Sequence, residues 1–479
     1  MVVGEMAHER DVIIIGGGPG GYHAAIRASQ LGKKVTLIEK EDLGGVCLNK
    51  GCIPSKVLTQ QASRWKQIER AADMGFIVES LSLNNEKKNA YRARIISELR
   101  KGVENLCKAN KVEIIKGTAF FLSENRVGVE HGERYDIFQF QQAIIATGST
   151  PERWQGISFD GNRILDKWSI SFLPTIPEHL VIHGSDVISL EMAMAYKTLG
   201  AEVTIIPNRE SLEFGFDSSI DREIKRIFKK EKITIIKESY FLNALPLENG
   251  VQVIYFSNGL EKSLDCSHLF ISTPNKPNTE ALGLERLGVK MENDGCIWVD
   301  SKCRTSITGI FAIGDATEGH GLAVKAIKQG KVAAEVICGL PSEVDLRFLP
   351  QVVHTIPPIA TVGLTEEAAL QEGYVVRTSQ LPLSSNGFAA LSGKKDGFMK
   401  IISEQSTDVI LGIHFIGEGA VELISSGTLL LEMAAREEDL TFSLQPHPSL
   451  NEALLEAGEQ LKEMAIHLAP KNHHEKVKQ

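Results

Sequence analysis

Two cysteines are the first residues of this sequence whose types and spacing could do chemistry. Cys47 and Cys52 lie in the segment GGVCLNKGCIPSK, and a helix is expected to start near Pro54. Such a pair could be half of a metal site, two unrelated thiols or a redox disulfide. A metal site needs a second pair of ligands at similar spacing, and the sequence contains none, so no metal is expected. A helix start and the charge of Lys56 both lower a thiol pKa, which favours redox exchange.

A second candidate is the pair His447 and Glu452 in the segment HPSLNE. A histidine titrates near neutral pH, and a carboxylate that bonds its second nitrogen fixes its tautomer. These are the properties of a general base that removes protons from thiols, because the thiolate is the attacking species. A lone histidine before a proline is more often structural, and the glutamate five residues later strengthens the functional interpretation.

A glycine-rich turn has the pattern of a dinucleotide site. The apolar strand Val12–Ile15 is followed by GGGPGG, a helical segment and a second strand that ends at Glu39. Gly16 permits a tight turn, Gly18 lets the backbone approach a pyrophosphate, and Gly21 lets the helix pack on the strand. The free N–H groups of the helix start attract phosphates, and Glu39 can accept hydrogen bonds from ribose hydroxyls. This order of elements predicts a Rossmann-type unit.

The same order of elements recurs 168 residues later (184 − 16 = 168), with a strand before Gly184 and a helix after it. The first glycine position is retained, but the other three dinucleotide-binding positions hold Asp186, Ser189 and Pro207. Two charges about 4 Å apart at an effective dielectric near 20 repel by roughly 4 kcal/mol, so Asp186 opposes a pyrophosphate. We expect a second Rossmann-type unit with weak or absent dinucleotide binding. The alternative is that the loop rearranges and a dinucleotide still binds.

The composition narrows the classes of function. The chain has 479 residues, enough for three or four domains at roughly 100–200 residues each. A net charge of 52 − 61 = −9 gives no basic surface for nucleic acid or an anionic membrane. Seven cysteines exclude a fully paired disulfide framework and indicate an intracellular protein. No segment approaches the ~18 apolar residues of a membrane span, and no targeting pattern is visible, so we expect a cytoplasmic location.

The remaining pattern predicts how the chain continues. A lysine-rich helix is expected at Glu86–Lys111, and a strand at Ile310–Asp315 that ends at an exposed aspartate. Beyond Leu349 the pattern predicts a mixed α+β domain. Its predicted strands are Val352–Gly363, Gly397–Ile402 and Val409–Ile416, and its predicted helices are Glu422–Ala435 and Asn451–His467.

The cysteine segment resembles the redox-active segment of the flavin-dependent pyridine nucleotide–disulfide oxidoreductases, and its IPSK form is closest to the dihydrolipoyl dehydrogenase branch. Residues 146–149 (ATGS), 314–315 (GD) and 447–452 (HPSLNE) are similar to further family motifs in the same order. The resemblance implies an α/β fold with two Rossmann-type dinucleotide-binding units plus a C-terminal α+β dimerisation domain. The expected parts are the FAD-binding domain (10–150), an NAD-binding-like domain (151–278), the completion of the FAD domain (279–347) and the C-terminal interface domain (348–479).

The resemblance also implies roles for individual residues. Cys47 would exchange with the substrate, Cys52 would face the flavin, His447 would be the general base, and Glu452 would hold its second nitrogen. In the family the base reaches the disulfide of the other subunit, which implies a homodimer with shared active sites. The residues expected to bind FAD are Gly16, Gly18, Gly21, Glu39, Lys56, Ala119, Gly148, Asp315 and Ala323.

The implied function is that of a FAD-dependent enzyme. It would oxidise dihydrolipoyl groups of a 2-oxoacid dehydrogenase or related complex through the cysteine pair, normally with NAD as acceptor. NAD is doubtful because Asp186, Ser189, Pro207 and Pro274 depart from the motif. One alternative is a flavoprotein with weak or no NAD use and another acceptor, such as a protein, a quinone or oxygen. The other is a flavin-loaded binding component of a lipoyl complex that does not turn over.

Three further positions of the second unit bear on the same question. Glu191 stands where the family has a glutamate that pairs with the flavin lysine, so we expect it to pair with Lys56. Asn275 follows Pro274 where the family usually has a Gly-Arg pair beside the cofactor. Arg209 is typical of NADP binding, but the charge of Asp186 opposes that cofactor as well.

Overall fold

The structure, a computed structural model, describes residues 7–208 and 214–469. These residues form two compact units. The first lies within Met1–Gln60, Ala71–Ile176 and Phe270–Leu346, and the second within Gln61–Arg70, Pro177–Leu269 and Arg347–Gln479. No helix in the described residues combines the length and the apolar character that a membrane span requires.

The strands of the described residues are, in chain order, β1 His8–Ile15, β2 Val35–Glu39, β3 Glu113–Lys116, β4 Thr118–Ser123, β5 Arg126–His131, β6 Arg134–Ile145, β7 Ser149–Pro151, β8 Ile164–Leu165, β9 His179–His183, β10 Glu202–Ile206, β11 Thr234–Ile235, β12 Ser239–Leu247, β13 Gly250–Ser257, β14 Leu260–Cys266, β15 His268–Ile271, β16 Asn275–Pro277, β17 Ile310–Ala312, β18 Gln351–Val353, β19 Ile359–Gly363, β20 Val376–Pro382, β21 Phe398–Glu404 and β22 Ile410–Ile416. The α-helices are α1 Pro19–Gln30, α2 Gly45–Asn49, α3 Cys52–Arg70, α4 Asn85–Ala109, α5 Val187–Thr198, α6 Ser218–Lys230, α7 Leu284–Leu287, α8 Ala323–Ile337, α9 Glu366–Gln371, α10 Gly387–Leu391, α11 Ala420–Glu432, α12 Glu437–Phe442 and α13 Glu452–Gln460.

The first unit is built on a sheet in the order β3-β2-β1-β6-β5-β4, with β17 beside β6. Strand β1 pairs in parallel with both β2 and β6. Its residues Val12–Ile15 are all buried, as expected for a parallel strand that is covered on both faces. Helix α1 follows β1 and packs closely on α8, since a Cβ on Gly330 would lie 2.4 Å from the Gly20 carbonyl oxygen. The glycine turn and Glu39 therefore lie at the carboxyl edge of this sheet.

The second unit repeats this order of elements. Strand β9 pairs in parallel with β10, β10 pairs with β11, and α5 follows β9 as α1 follows β1. An antiparallel sheet, β12-β13-β14, comes next. The C-terminal part is a five-stranded sheet in the order β18-β19-β22-β21-β20, against which α11 and α13 pack. The expected α/β class with a C-terminal α+β part is confirmed, while the domain limits expected from the sequence stay a prediction.

Several expected elements have different bounds. The strand expected at Ile310–Asp315 ends at Ala312, and Asp315 lies half-buried in the turn that follows instead of exposed at the strand end. The single strand expected at 352–363 is two antiparallel strands, β18 and β19, because Pro357 and Pro358 lie between them and cannot donate to a ladder. The helix expected to reach residue 467 ends at Gln460 and is followed by a turn. The lysine-rich helix is confirmed as α4.

Candidate active site

The two cysteines of the first motif are joined as a disulfide. Cys47 lies in α2, Cys52 is the first residue of α3, and their Cα atoms are 4.5 Å apart. Asn49 lies between the two cysteines, and its side chain donates to the carbonyls of Leu43 (3.0 Å) and Gly45 (2.9 Å), which precede Cys47. The redox interpretation of the pair is thereby favoured over a metal half-site, and no possible metal cluster occurs in residues 7–208 and 214–469.

A single arginine ties this loop to α4. Arg100 donates to the Asn49 Oδ1 atom at 2.9 Å and forms an ion pair with Asp42 at 2.9 Å. Lys50 lies over the Trp168 ring at 4.5 Å and pairs with Glu41 at 2.6 Å. The disulfide therefore sits in a loop that side chains hold on both flanks.

The turn between β1 and α1 leaves room for a phosphate. Gly16 has φ +107°, and a Cβ there would lie 2.3 Å from the Ala146 carbonyl oxygen, so only glycine fits. Gly18 is the N-cap residue of α1 and offers no side-chain cap. A Cβ on Gly18 would meet nothing nearer than the Gly45 Cα atom at 3.9 Å. The uncapped N–H groups and this open space fit the pyrophosphate of a dinucleotide.

Two carboxylates flank the same edge of the sheet. Glu39 at the end of β2 accepts from the backbone N–H of Gly17 at 2.6 Å. Asp315, in the turn after β17, accepts from the Ser149 hydroxyl at 2.7 Å. The other expected FAD residues lie on elements of the first unit or in its turns, and their roles toward FAD stay predictions. They are Gly21 and Ala323 in α1 and α8, Lys56 in α3, Ala119 in β4 and Gly148 between β6 and β7.

A buried lysine that sequence reasoning missed holds the turn that carries Asp315. The Lys325 Nζ atom donates to the carbonyls of Gly314 (3.3 Å), Thr317 (3.1 Å) and Glu318 (2.6 Å). Burial lowers its pKa, while nearby acidic groups, Asp315 first, act to raise it. Lysines are rarely fully buried, so a sequence alone predicts an exposed side chain here. The one local signal is the position of Lys325 near the start of α8.

The start of α5 in the second unit is closed by a side chain. Asp186 is the N-cap residue, and its Oδ1 atom accepts from the Ser189 N–H (2.9 Å) and the Ser189 hydroxyl (2.7 Å). The sequence predicted a carboxylate that faces a pyrophosphate, whereas the structure shows it bonded to the helix that would bind one. Ser189, which stands at the third glycine position of the motif, supplies both donors of this contact.

The other residues that depart from the dinucleotide-binding motif have ordinary structural surroundings. Pro207 directly follows β10, and the Pro274 carbonyl accepts from the backbone N–H of Glu152 at 2.9 Å. Glu191 is buried in α5, and its Oε1 atom accepts from the backbone N–H of His354 at 2.9 Å. Its pairing with Lys56 stays a prediction, and Arg209 lies outside the described residues.

The expected acid–base pair is in contact. The His447 Nδ1 atom lies 2.7 Å from Glu452 Oε1, and Glu452 Oε2 accepts from the Ser449 N–H at 2.9 Å. These hydrogen bonds, the one to His447 first, lower the pKa of Glu452 and keep it charged. The His447 side chain is 80% exposed. The imidazole is thus oriented by one nitrogen, while the ring stays accessible from solvent.

Comparison with known proteins gives the same family over nearly the whole chain. Residues 10–330 match the pyridine nucleotide-disulphide oxidoreductase family, and residues 349–458 match its dimerisation domain. A dihydrolipoyl dehydrogenase of Geobacillus stearothermophilus is 41% identical, with 98% of this chain and 100% of the relative covered. A dihydrolipoyl dehydrogenase of Staphylococcus aureus is 40% identical with the same coverage.

Solved structures agree with this assignment. The crystal structure of LpdA from Mycobacterium tuberculosis has a TM-score of 0.89 at 27% identity and covers 94% of this chain and 99% of its own. The copper(II) complex of the HOCl-induced flavoprotein disulfide reductase RclA from Escherichia coli has a TM-score of 0.85 at 24% identity. It covers 95% of this chain and 99% of its own, and at that identity it shows the fold alone.

Proposed function

Since the chain belongs to the pyridine nucleotide-disulphide oxidoreductase family, we propose that it oxidises dihydrolipoyl groups to lipoyl disulfides at Cys47 and Cys52. The observation that carries the proposal is the disulfide of these cysteines at the start of α3. The relatives named dihydrolipoyl dehydrogenase supply the substrate class. The lipoyl groups would belong to a 2-oxoacid dehydrogenase or related complex, in the cytoplasm.

The reaction is a thiol–disulfide exchange in two steps. A thiolate of the dihydrolipoyl group attacks the Cys47 sulfur, the Cys47–Cys52 bond breaks, and Cys52 leaves as a thiolate. The second substrate thiolate then attacks the substrate sulfur of the mixed disulfide, which closes the lipoyl ring and releases Cys47. The substrate loses two electrons to the cysteine pair and gives up two protons, one to His447 and the other to the released Cys47 thiolate. The Glu452 carboxylate holds the imidazole during this transfer.

The family is FAD-dependent, and the first unit has the features that FAD binding needs. The open start of α1 would hold the pyrophosphate, Glu39 the ribose, and Asp315 the ribityl chain. Lys56 would lie by the flavin, and Cys52 would be the nearer thiol. When bound, FAD supplies a two-electron acceptor for the reduced cysteine pair.

A homodimer would complete the site. Residues 349–458 match the family's dimerisation domain, and they include His447 and Glu452. We propose that each His447 serves the disulfide of the partner chain. The high exposure of its ring in the single chain supports this assignment, because a base that serves another chain must be reachable from outside.

A second candidate function keeps the dithiol reaction but replaces the final acceptor. Dihydrolipoyl dehydrogenases use NAD, and the Asp186–Ser189 contact at the start of α5 favours weak or absent NAD binding in this chain. The acceptor would then be a protein, a quinone or oxygen. A binding component that does not turn over is less well supported, because the disulfide and the His447–Glu452 contact are both intact.

One anaerobic experiment tests both candidates. The purified protein, reconstituted with FAD, is mixed rapidly with dihydrolipoamide or with NADH while flavin absorbance is followed. We expect about one FAD per chain and fast reduction by dihydrolipoamide. A folded protein that cannot bind FAD, or whose flavin dihydrolipoamide leaves oxidised, contradicts the proposed function. Fast reduction by NADH at micromolar concentration contradicts the second candidate alone.

A further inference from the structure

The segment that carries His447 is largely exposed within its own chain. Residues 446–448 are exposed, and Phe442 and Leu444 just before them are 91% and 99% exposed. Within one chain, the position of the imidazole therefore depends on the contacts that tie this segment to the C-terminal domain. Leu450 provides an apolar one, since a Cβ on Gly419 would lie 2.8 Å from its Cδ1 atom.

A polar contact comes from Asn386, which has no part in the reaction described above. Its side chain is buried, with 6% of the residue exposed. The Nδ2 atom donates to the Ser449 carbonyl at 3.0 Å, and the Oδ1 atom accepts from the Ala389 N–H at 2.9 Å as the N-cap of α10. One amide thus joins a helix start to the catalytic segment.

Ser449 continues the chain of contacts to the base. Its backbone N–H donates to Glu452 Oε2 at 2.9 Å, and the other Glu452 oxygen contacts the His447 Nδ1 atom at 2.7 Å. The Ser449 hydroxyl donates to the Pro446 carbonyl at 2.6 Å. This bond ties Ser449 to the residue that directly precedes the histidine. Displacement of Ser449 would therefore move both ends of the carboxylate–imidazole contact.

We infer that Asn386 is a positioning residue for the general base and acts on His447 through Ser449 and Glu452. The inference rests on the proposed function, in which His447 accepts a substrate proton. The amide suits this task because it is a donor and an acceptor at once. Aspartate also caps helices well, but it would present an acceptor to the Ser449 carbonyl.

The test compares Asn386→Asp with Thr365→Ala in the FAD-loaded protein. Asn386→Asp keeps the cap on α10 and removes the donor to Ser449. Thr365→Ala is the matched control, because Thr365 caps α9 by accepting from the Ala368 N–H at 3.1 Å. We expect Asn386→Asp to slow the limiting rate of flavin reduction by dihydrolipoamide about five- to tenfold, the worth of one hydrogen bond. The dihydrolipoamide concentration for half-maximal rate should stay the same, and Thr365→Ala should leave both quantities unchanged.

A double-mutant cycle separates positioning from a merely structural role. In a Glu452→Gln background, Asn386→Asp should have little further effect, because both changes act on one chain of contacts. Equal slowing in the two backgrounds, or a loss of melting temperature with an unchanged limiting rate, overturns the inference.

A measurement that needs no substrate tests the inference independently of the proposed function. The NMR signals of labelled histidine rings report the His447 tautomer, and His447→Gln identifies its signal. Asn386→Asp should shift that signal in the same direction as Glu452→Gln does. An unmoved signal overturns the inference even in an active enzyme, while a shifted signal supports it even if dihydrolipoamide fails as substrate.

Discussion

The Asp186 carboxylate accepts two hydrogen bonds from Ser189, one from its backbone N–H at 2.9 Å and one from its hydroxyl at 2.7 Å. The corresponding N-cap of the first unit is Gly18, which has no side chain to offer. The two halves of the repeat thus differ at the point where a dinucleotide phosphate would meet a helix. In one half the helix start is open, and in the other the protein's own anion occupies it.

Asp186→Gly combined with Pro207→Glu should strengthen NADH binding. The gain should reach at most about a thousandfold, if all of roughly 4 kcal/mol of repulsion is relieved. Asp186→Asn should give a smaller gain, because it removes the charge and keeps a side-chain cap. Flavin reduction across NADH concentrations measures the effect, with reduction by dihydrolipoamide as the unchanged control. Saturation of the unmodified protein by micromolar NADH would contradict this reading of the second unit.

Cys47→Ser should abolish flavin reduction by dihydrolipoamide and leave FAD bound. A serine hydroxyl cannot form the mixed disulfide, whereas the turn at Gly16–Gly21 is untouched. The matched control is Cys338→Ser, because Cys338 is a free, half-buried thiol in the first unit. Rapid mixing with dihydrolipoamide and the flavin spectrum report the two properties separately. Unchanged reduction in the Cys47→Ser protein would remove this cysteine from the mechanism.

His447→Gln should slow reduction by dihydrolipoamide by about 10²–10⁴, the usual contribution of a positioned acid–base group. Mixed dimers of a His447→Gln chain with a Cys47→Ser chain test whether the site is shared. If the base serves the partner chain, one site of each mixed dimer lacks both groups and the other site is complete. Activity of about half that of the unmodified dimer is therefore expected, and near-complete inactivity would place the base with its own chain's disulfide.

Lys325→Met should weaken FAD binding at least about tenfold. The change removes the buried donor that the carbonyls of Gly314, Thr317 and Glu318 share, and a hydrogen bond lost from a buried group costs about 1–3 kcal/mol. Lys328→Met is the control, because Lys328 is exposed on the same helix. Flavin fluorescence during dilution measures the release of FAD. Equal retention by the two variants would show that this lysine does not hold the turn for the cofactor.

The buried ion pair of Asp217 and Lys400 should make the free energy of unfolding depend on pH. Burial alone would raise the pKa of Asp217, but hydrogen bonds from Lys400 and Ser219 outweigh it and hold that pKa below its usual range. The Lys400 Nζ atom lies 2.9 Å from Asp217 Oδ2. A carboxyl with a depressed folded-state pKa stabilises the protein above its unfolded pKa, here 3.8, and that stabilisation is lost as pH falls through the lower value.

Lys400→Met should accordingly destabilise the protein by about 3–5 kcal/mol at pH 7, because it leaves a buried carboxylate unpaired. Lys394→Met, which breaks a partly exposed pair with Glu418, should cost about 0–1 kcal/mol. Urea unfolding between pH 7 and pH 3 gives both values. The deficit of Lys400→Met should shrink as pH falls below about 4, because Asp217 then protonates in the unfolded chain and in the variant that lacks the Lys400 charge. A deficit that stays constant with pH would assign it to packing instead of charge.

The sequence predicts those parts of the site in which chemistry depends on short spacings. The cysteine pair, the glycine turn and the His447–Glu452 pair each lie within six residues, so their contacts are local. The cap at Asp186 follows from a local rule as well, since aspartate before a helix is a preferred N-cap. The interruption between strands β18 and β19 at Pro357 follows from a local rule as well, because proline cannot donate to a strand ladder.

Contacts between distant segments could not be read in this way. Lys325 and Lys400 are buried, yet lysine is usually exposed, and nothing in their neighbouring residues marks them as exceptions. Asn386 and Ser449 are 63 residues apart, and an asparagine before a short helix indicates only a cap. Such contacts depend on tertiary packing, which brings together groups with no shared sequence pattern.

The Asp186 cap at the start of α5 also bears on how the folding stability of the second unit depends on a bound nucleotide. A nucleotide that binds only the native state stabilises it by RT ln(1 + [L]/Kd), so stability rises and falls with the cofactor supply. The Asp186 carboxylate is part of the chain and is present at a constant effective concentration whatever the metabolic state. If NAD binds weakly or not at all, as proposed above, starvation for nicotinamide nucleotides would leave the stability of this unit unchanged.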